Sequence, residues 1–278
     1  MAVIAMTREM ATLGKDVAAG LAERLRLEVV HHELVEHDIA ERSGLRESEV
    51  HRFLEGEATM TERWRIDGTK MARYTAREII ELAVKGNVLI RGWGATYLLR
   101  QVPHVVCVRI CAPMPFRTRT LMKRLGIADP AAARREIERN DAAHNGTMRR
   151  LFGVDWTDAA HYALTLNTQR VPVANCVEQI ALLSSSEPFR ETQQSRAILI
   201  DQLIETRVRM TLDEHFDGRI RAVGIDVQVK DGKATLSGAI SDERLIAEIV
   251  RRVHAVEGVT QVESNIQYLT FAQSQAYF

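Results

Sequence analysis

A chain of 278 residues exceeds one average domain and leaves room for two. Lys+Arg and Asp+Glu each total 37, so the net charge is zero and no broad basic surface for nucleic acid or an anionic membrane is implied. Three cysteines are too few and too odd in number for a disulfide framework, and no apolar run nears the roughly 18 residues of a spanning helix; with an N-terminal apolar run that leads straight into a loop, the expectation is a cytoplasmic protein.

In chain order, "AVIAMT" (2–7) reads as a short strand, and "KDVAAGLAERLRL" (15–27) as a helix with Val17, Leu21 and Leu25 on one face. "EVV" (28–30) is a brief second strand, followed by a helix from about Glu33 to Ser43 that Gly44 ends. Residues 46–86 are mostly helical, with interruptions near Gly56 and Gly68. Strands follow at 87–92 and 104–110, then two helices, the second opened by Asp129 as cap and Pro130 at its first position. A fifth strand at 161–168 and a helix at 172–183 close this region. Strand–helix alternation of this kind predicts an α/β domain over 1–183: a parallel sheet covered by helices on both faces. The polar stretch 184–195 reads as a linker. Beyond it the grammar changes to helix (196–215), strand, the turn Asp231-Gly232, strand, helix (242–256) and strand, a small α+β unit of order α-β-β-α-β over 196–269, with an unassigned tail at 270–278.

Between the first strand and helix stands "EMATLGKD" (9–16), which has the length and Gly-Lys of a phosphate-binding loop. Glu9 takes the place of the first glycine of GxxxxGK[ST] and Asp16 that of the hydroxyl residue. The setting is right for a loop whose N–H groups converge on phosphates at a helix N-terminus, with Lys15 reaching the outer phosphates. Asp16 can ligate Mg²⁺ as a carboxylate, at the cost of a negative charge near the phosphates. The competing reading is a helix start in which Gly14 makes the turn and Asp16 favours the helix dipole.

Several stretches tip this balance together. "MTREMATLGKDVAAGLAERL" resembles the opening of the cytidylate kinase-like family, where Glu is common at the position of Glu9. "HELVEHDIAERSGL" (32–45), "NVLIRGWGATYLLR" (87–100), "RICAPMPFRTRTLMKRLG" (109–126) and "FGVDWTDAAHYALTLNT" (152–168) are similar to the family's later motifs in the same order. The resemblance covers nearly all of 1–183. It implies a P-loop nucleoside-monophosphate-kinase fold, ATP and Mg²⁺ as donor and cofactor, and a CMP- or dCMP-like acceptor. It also implies roles: Thr12, Gly14, Lys15 and Asp16 at the donor phosphates, with Asp16 as metal ligand; Arg91, Gly92 and Gly94 at the acceptor; Lys15, Arg117, Arg119 and Asp141 in catalysis. Arginines at the start of a lid helix can clamp a transferring phosphoryl group, for which the chemistry needs mainly positioning and charge neutralisation.

This chain departs from the family pattern at His144, where an arginine is usual, at Ala163 in place of an aspartate, and at His31 where the family favours Asp. A largely neutral imidazole cannot form a bidentate fork. Three readings therefore stand: a nucleotide kinase, a catalytically weak nucleotide-binding regulator, and a kinase for a different small acceptor. "HHELVEH" is no zinc motif, since His32 and His37 are five apart. Cys107, Cys111 and Cys176 read as buried thiols, and Trp64 as a packing residue.

Residues 196–269 resemble a BON domain, carried by "IDVQVKDGKATLSGAISDE" and "AEIVRRVHAVEGVTQVESNI". That resemblance implies a module that binds proteins or membrane lipid and does no chemistry, here a targeting or sensing arm, with a strand edge as a route to homo-oligomers.

Overall fold

The computed structural model describes residues 1–30, 32–92, 94–216, 224–240 and 242–268. His31, Trp93, residues 217–223, Ser241 and residues 269–278, which include the unassigned tail, lie outside them. The chain divides into two compact units, Met1–Arg196 and Ala197–Phe278.

In the first unit, β1 (Val3–Arg8), β2 (Glu28–Val30), β3 (Val88–Arg91), β4 (Val105–Cys111) and β5 (Leu164–Asn167) form one parallel sheet in the order β2-β3-β1-β4-β5. Every neighbouring pair is parallel, with Val3 beside Val88 on one side and Val105 on the other. The central strands are apolar on both sides, as strands buried on both faces must be: Val3, Ile4, Ala5 and Met6 of β1 are all buried. On one face, α1 (Gly14–Leu25) and α9 (Val173–Ser185) pack Val17, Leu21, Val177 and Ile180 onto Ile4, Met6, Leu89 and Val108. The remaining helices of the unit are α2 (His32–Ser43), α3 (Glu47–Leu54), α4 (Met60–Arg65), α5 (Gly68–Lys85), α6 (Ala95–Leu99), α7 (Met114–Leu125) and α8 (Pro130–Phe152).

Helix boundaries follow local chemistry. The Asp67 carboxylate accepts from the N–H groups of Thr69 (2.8 Å) and Lys70 (3.3 Å) to open α5. Asp129 does the same for α8 through Ala131 N–H at 2.8 Å, with Pro130 at the first position. The fifth strand is shorter than the sequence pattern suggests. A 3-10 turn occupies Ala159–His161, opened by Asp158 accepting from Ala160 N–H at 2.9 Å, and pairing with β4 starts only at Leu164. Between α9 and the next helix, residues 187–189 form a 3-10 turn, and Glu191 pairs with the N-terminal ammonium at 2.8 Å and with Arg196 at 2.8 Å.

The second unit combines α10 (Gln193–Phe216), within which the unit boundary falls, with β6 (Ile225–Lys230), β7 (Lys233–Ile240), α11 (Arg244–His254) and β8 (Gln261–Tyr268). β6 and β7 are an antiparallel hairpin, and β7 pairs parallel with β8 after α11 crosses over. The turn residues Asp231 and Gly232 both have positive φ, 51° and 75°, which the Asp-Gly pair tolerates. The Asp201 carboxylate on α10 accepts from both turn N–H groups, at 2.8 and 2.9 Å. Val208 and Phe216, Val227, Ala234 and Leu236, and Ile249 and Val253 form one core. The opposite sheet face carries Asp226, Gln228, Lys233, Thr235, Glu263 and Asn265, a polar surface with both signs of charge. Among the described residues no helix is long and apolar enough to cross a membrane.

Candidate nucleotide-binding site

The carboxyl ends of β1, β3 and β4 meet where open α/β sheets bind ligands. From β1 the chain turns through residues 9–13 into α1. Two non-glycine residues of this loop take left-handed backbone, Ala11 at φ 61° and Leu13 at φ 60°. That conformation costs about 1 kcal/mol per residue. Part of the cost at Ala11 is offset by its methyl group, 3% exposed, which joins Leu121 of α7 and Ala133 and Ile137 of α8 in a small apolar cluster.

Glu9 shows why a carboxylate can stand at this end of the loop. Its Oε1 accepts from Arg109 Nη2 at 2.5 Å, and its Oε2 from the Ala112 N–H at 3.2 Å, with Arg117 Nη1 at 3.5 Å. Two arginines and a backbone N–H thus neutralise it and tie the loop to the end of β4. Arg117, 4% exposed, donates from Nε to the Met10 carbonyl at 2.8 Å and clasps Asp141 bidentately, at 2.8 and 2.6 Å. One side chain on α7 therefore holds the loop backbone and α8 together.

The other expected positions fall as follows. Thr12 is buried, its hydroxyl donating to the Glu9 carbonyl at 2.8 Å while its carbonyl accepts from Thr168 at 2.6 Å. Lys15 and Asp16 are exposed in the first turn of α1, where helix N–H groups have no intrahelical partner. Gly14 is required by close approach: a Cβ there would lie 2.8 Å from the Arg8 Cβ. Arg119 is exposed on α7. Gly92 and Gly94, at φ 83° and 74°, carry the chain from β3 into α6.

Arg91 and Gly92 line a cavity of about 130 Å³ together with Thr7, Arg8, Met10, Glu55, Asn140 and His144. Arg8 is the residue the sequence reading passed over, although "TRE" lay in the quoted motif. Loss of hydration and the neighbouring Arg91 and Arg124 push its guanidinium down to about 10, with Glu55 opposing. Burial raises the Glu55 carboxyl. The His144 ring packs edge-on against Trp156 at 4.4 Å, and loss of hydration lowers it to about 4, so it is neutral at pH 7. These groups come from β1, the end of α3 and α8, a convergence that no local pattern reveals.

Two side chains correct the sequence reading. Trp64, expected to pack, is 88% exposed on α4 beside Met60. Cys111 is half-buried at the end of β4, where the sheet cover thins, whereas Cys107 and Cys176 are buried. Arg124 is exposed on α7 and acts electrostatically on Arg8. His37, Asp38 and Glu41 bring ligand atoms within 4.8 Å of one another at the surface of α2, and the His37 ring pairs with Glu47.

A parallel sheet of order β2-β3-β1-β4-β5, with a Gly-Lys loop between β1 and α1, defines a P-loop kinase-type fold. The model of the cytidylate kinase-like family matches residues 3–170, and the chain belongs to that family. A BON domain matches residues 200–270. Among solved structures, the chain is similar to an uncharacterised protein from Eubacterium ventriosum, at 19% identity and TM-score 0.54, covering 67% of this chain and 100% of the other. Shikimate kinase from Acinetobacter baumannii in complex with shikimate gives 15% identity and TM-score 0.36, covering 66% and 92%. A sugar kinase from Janibacter sp. gives 16% and 0.38, covering 68% and 96%. No curated protein matches. The family and the fold support a nucleotide-binding, kinase-type function, and BON domains bind protein or lipid.

Proposed function

We propose that the N-terminal unit transfers a phosphoryl group from ATP to a nucleoside monophosphate of the CMP or dCMP type. The observation that carries this reading is the pairing of two features across the carboxyl edge of the sheet. One is an α1 N-terminus presenting Lys15 and Asp16, and the other is a cavity lined by Arg8 and Arg91. The first suits a donor's phosphates, since helix N–H groups and a lysine together favour anions. The second suits an anionic acceptor.

The residues present fit ATP and Mg²⁺. Lys15 would pair with the outer phosphates, the N–H groups around Gly14 would line the inner ones, and Asp16 supplies a hard oxygen ligand of the kind Mg²⁺ prefers. The ion, when bound, screens phosphate charge. Arg119, exposed on α7, is positioned on the element that would cover the transferring group. Arg117 and Asp141, clasped to each other and to the loop, act by holding its shape.

A weaker or non-catalytic nucleotide-binding regulator is the second reading. It is favoured by His144, neutral where the family has an arginine, and by Arg117, whose donors are already spent on Met10 and Asp141. The BON unit then carries the output. Its open sheet face, polar and mixed in charge, suits a protein partner better than an anionic lipid surface.

A phosphoryl-transfer assay with ATP–Mg²⁺ over a panel of nucleoside monophosphates, on the full chain and Lys15→Ala, tests the proposal. Lysine-dependent turnover on CMP or dCMP is expected. Lysine-dependent binding with no turnover on any acceptor selects the regulator.

A further inference from the structure

Most buried charges in folded proteins are paired, because an unpaired ion withdrawn from water is costly. Arg8, half-buried, has no such partner among the described residues. It lines the cavity at the carboxyl ends of β1 and β3, and among the described residues its guanidinium makes no hydrogen bond or ion pair. Its surroundings worsen the imbalance. Arg91 and Arg124 act on it with like charge, and the single opposing carboxylate, Glu55, acts only at a distance. Two arginines, Arg8 and Arg91, and one carboxylate, Glu55, line a space of about 130 Å³, whose remaining lining is uncharged: Thr7, Met10, Gly92, Asn140 and the neutral His144. A Cβ on Gly92 would meet nothing within 4 Å, so the floor beside Arg91 is open.

A second observation shows that the Arg8 position is built. Its aliphatic stem runs so close to Gly14 that a Cβ there would sit 2.8 Å from Arg8 Cβ and 2.9 Å from Cδ. The glycine of the phosphate loop thus leaves room for the Arg8 side chain, and the strand–loop junction fixes where the guanidinium points.

We infer that Arg8 and Arg91 form an oxyanion subsite for a tetrahedral phosphate dianion, the phosphate of a phosphate monoester, with Glu55 setting its selectivity by repelling surplus negative charge. The inference deepens the kinase reading by naming the charged group on the acceptor and by adding a ligand, Arg8, from β1. Planar guanidinium groups match phosphate oxygens in pairs, which a lysine would not. Asn140, on α8, offers an amide that can meet the sugar or base of the same molecule. A subsite of this kind binds inorganic phosphate and CMP by the same contacts, so the two serve as separate probes.

The test is calorimetric titration of inorganic phosphate, and in parallel of CMP, into the full chain and the variants Arg8→Gln, Arg8→Lys, Glu55→Gln and Lys15→Ala. Arg8→Gln should weaken both ligands about tenfold or more, and Arg8→Lys should restore part of the loss. Glu55→Gln should tighten phosphate several-fold, a gain that a misfolded variant cannot imitate. Lys15→Ala should leave CMP affinity unchanged. Three results would each overturn the subsite: affinity unchanged in Arg8→Gln, phosphate affinity lost in Lys15→Ala but not in Arg8→Gln, or no binding of either ligand at millimolar concentration. Absence of lysine-dependent ATP binding would end the kinase reading while leaving these titrations decisive for the subsite.

Discussion

Two arginines are withdrawn from water within one site, and the chain treats them oppositely. Arg117 is 4% exposed, and its donors meet the Met10 carbonyl and the Asp141 carboxylate, with Glu9 beside them. Arg8 is half-buried among other cations with no protein partner among the described residues. The first arrangement is what a structural brace looks like: every charge is answered inside the protein, and breaking one partner strands the other. The second is what a ligand site looks like before its ligand arrives, because the missing counter-charge must come from outside. Residue type does not separate the two. The partner list does.

The comparison is broken most directly at Asp141. Asp141→Ala leaves Arg117 buried without its bidentate partner and should cost the N-terminal unit about 3 kcal/mol, read by chemical denaturation. A loss under about 1 kcal/mol would mean that Glu9 and the Met10 carbonyl suffice.

His144 gives a pH test of the cavity wall. Its folded state declines a proton down to about pH 4, whereas an unfolded histidine accepts one near 6.5. The unfolded chain therefore binds more protons in that window, and stability falls as pH drops from about 6.5 toward 4. Asp141 opposes this shift and Arg8 reinforces it. With its ring half-buried, the loss relative to His144→Phe, which keeps the edge-on packing, should reach about 2 kcal/mol by pH 4.5. Parallel pH profiles for the two proteins would contradict it.

Arg8→Met should do the reverse of Asp141→Ala. Removing an unanswered charge while keeping the stem should stabilise the ligand-free protein by about 1 kcal/mol. A comparable loss would show that Arg8 has a partner after all. The smallest effect belongs to the second unit. Asp201→Ala, which frees the N–H groups of the Asp231-Gly232 turn, should lower the stability of that unit alone by about 1 kcal/mol.

What the sequence disclosed follows the range of each interaction. The strands of the sheet, the Asp129-Pro130 helix start and the Asp-Gly hairpin are written in neighbouring residues, and all three are in the structure. The α-β-β-α-β order of the second unit was equally legible. Glu9 looked like a defect because its remedies lie 100 and 103 residues away, at Arg109 and Ala112. Arg8 sat inside a quoted motif, yet its significance depends on Arg91, Arg124 and Glu55, which no spacing rule connects to it. Trp64 was read from residue type alone, and a tryptophan's preference for packing gave way to its place on a short surface helix.

The central claim is that two neighbouring sites on one sheet edge bind different phosphates, the donor's at Lys15 and the acceptor's at Arg8. Titration of ATP–Mg²⁺ into the full chain, Lys15→Ala and Arg8→Gln tests it most directly. ATP affinity should fall at least tenfold in Lys15→Ala and stay within about twofold in Arg8→Gln. Equal losses in both variants, or no ATP binding by the unaltered protein, would contradict the account.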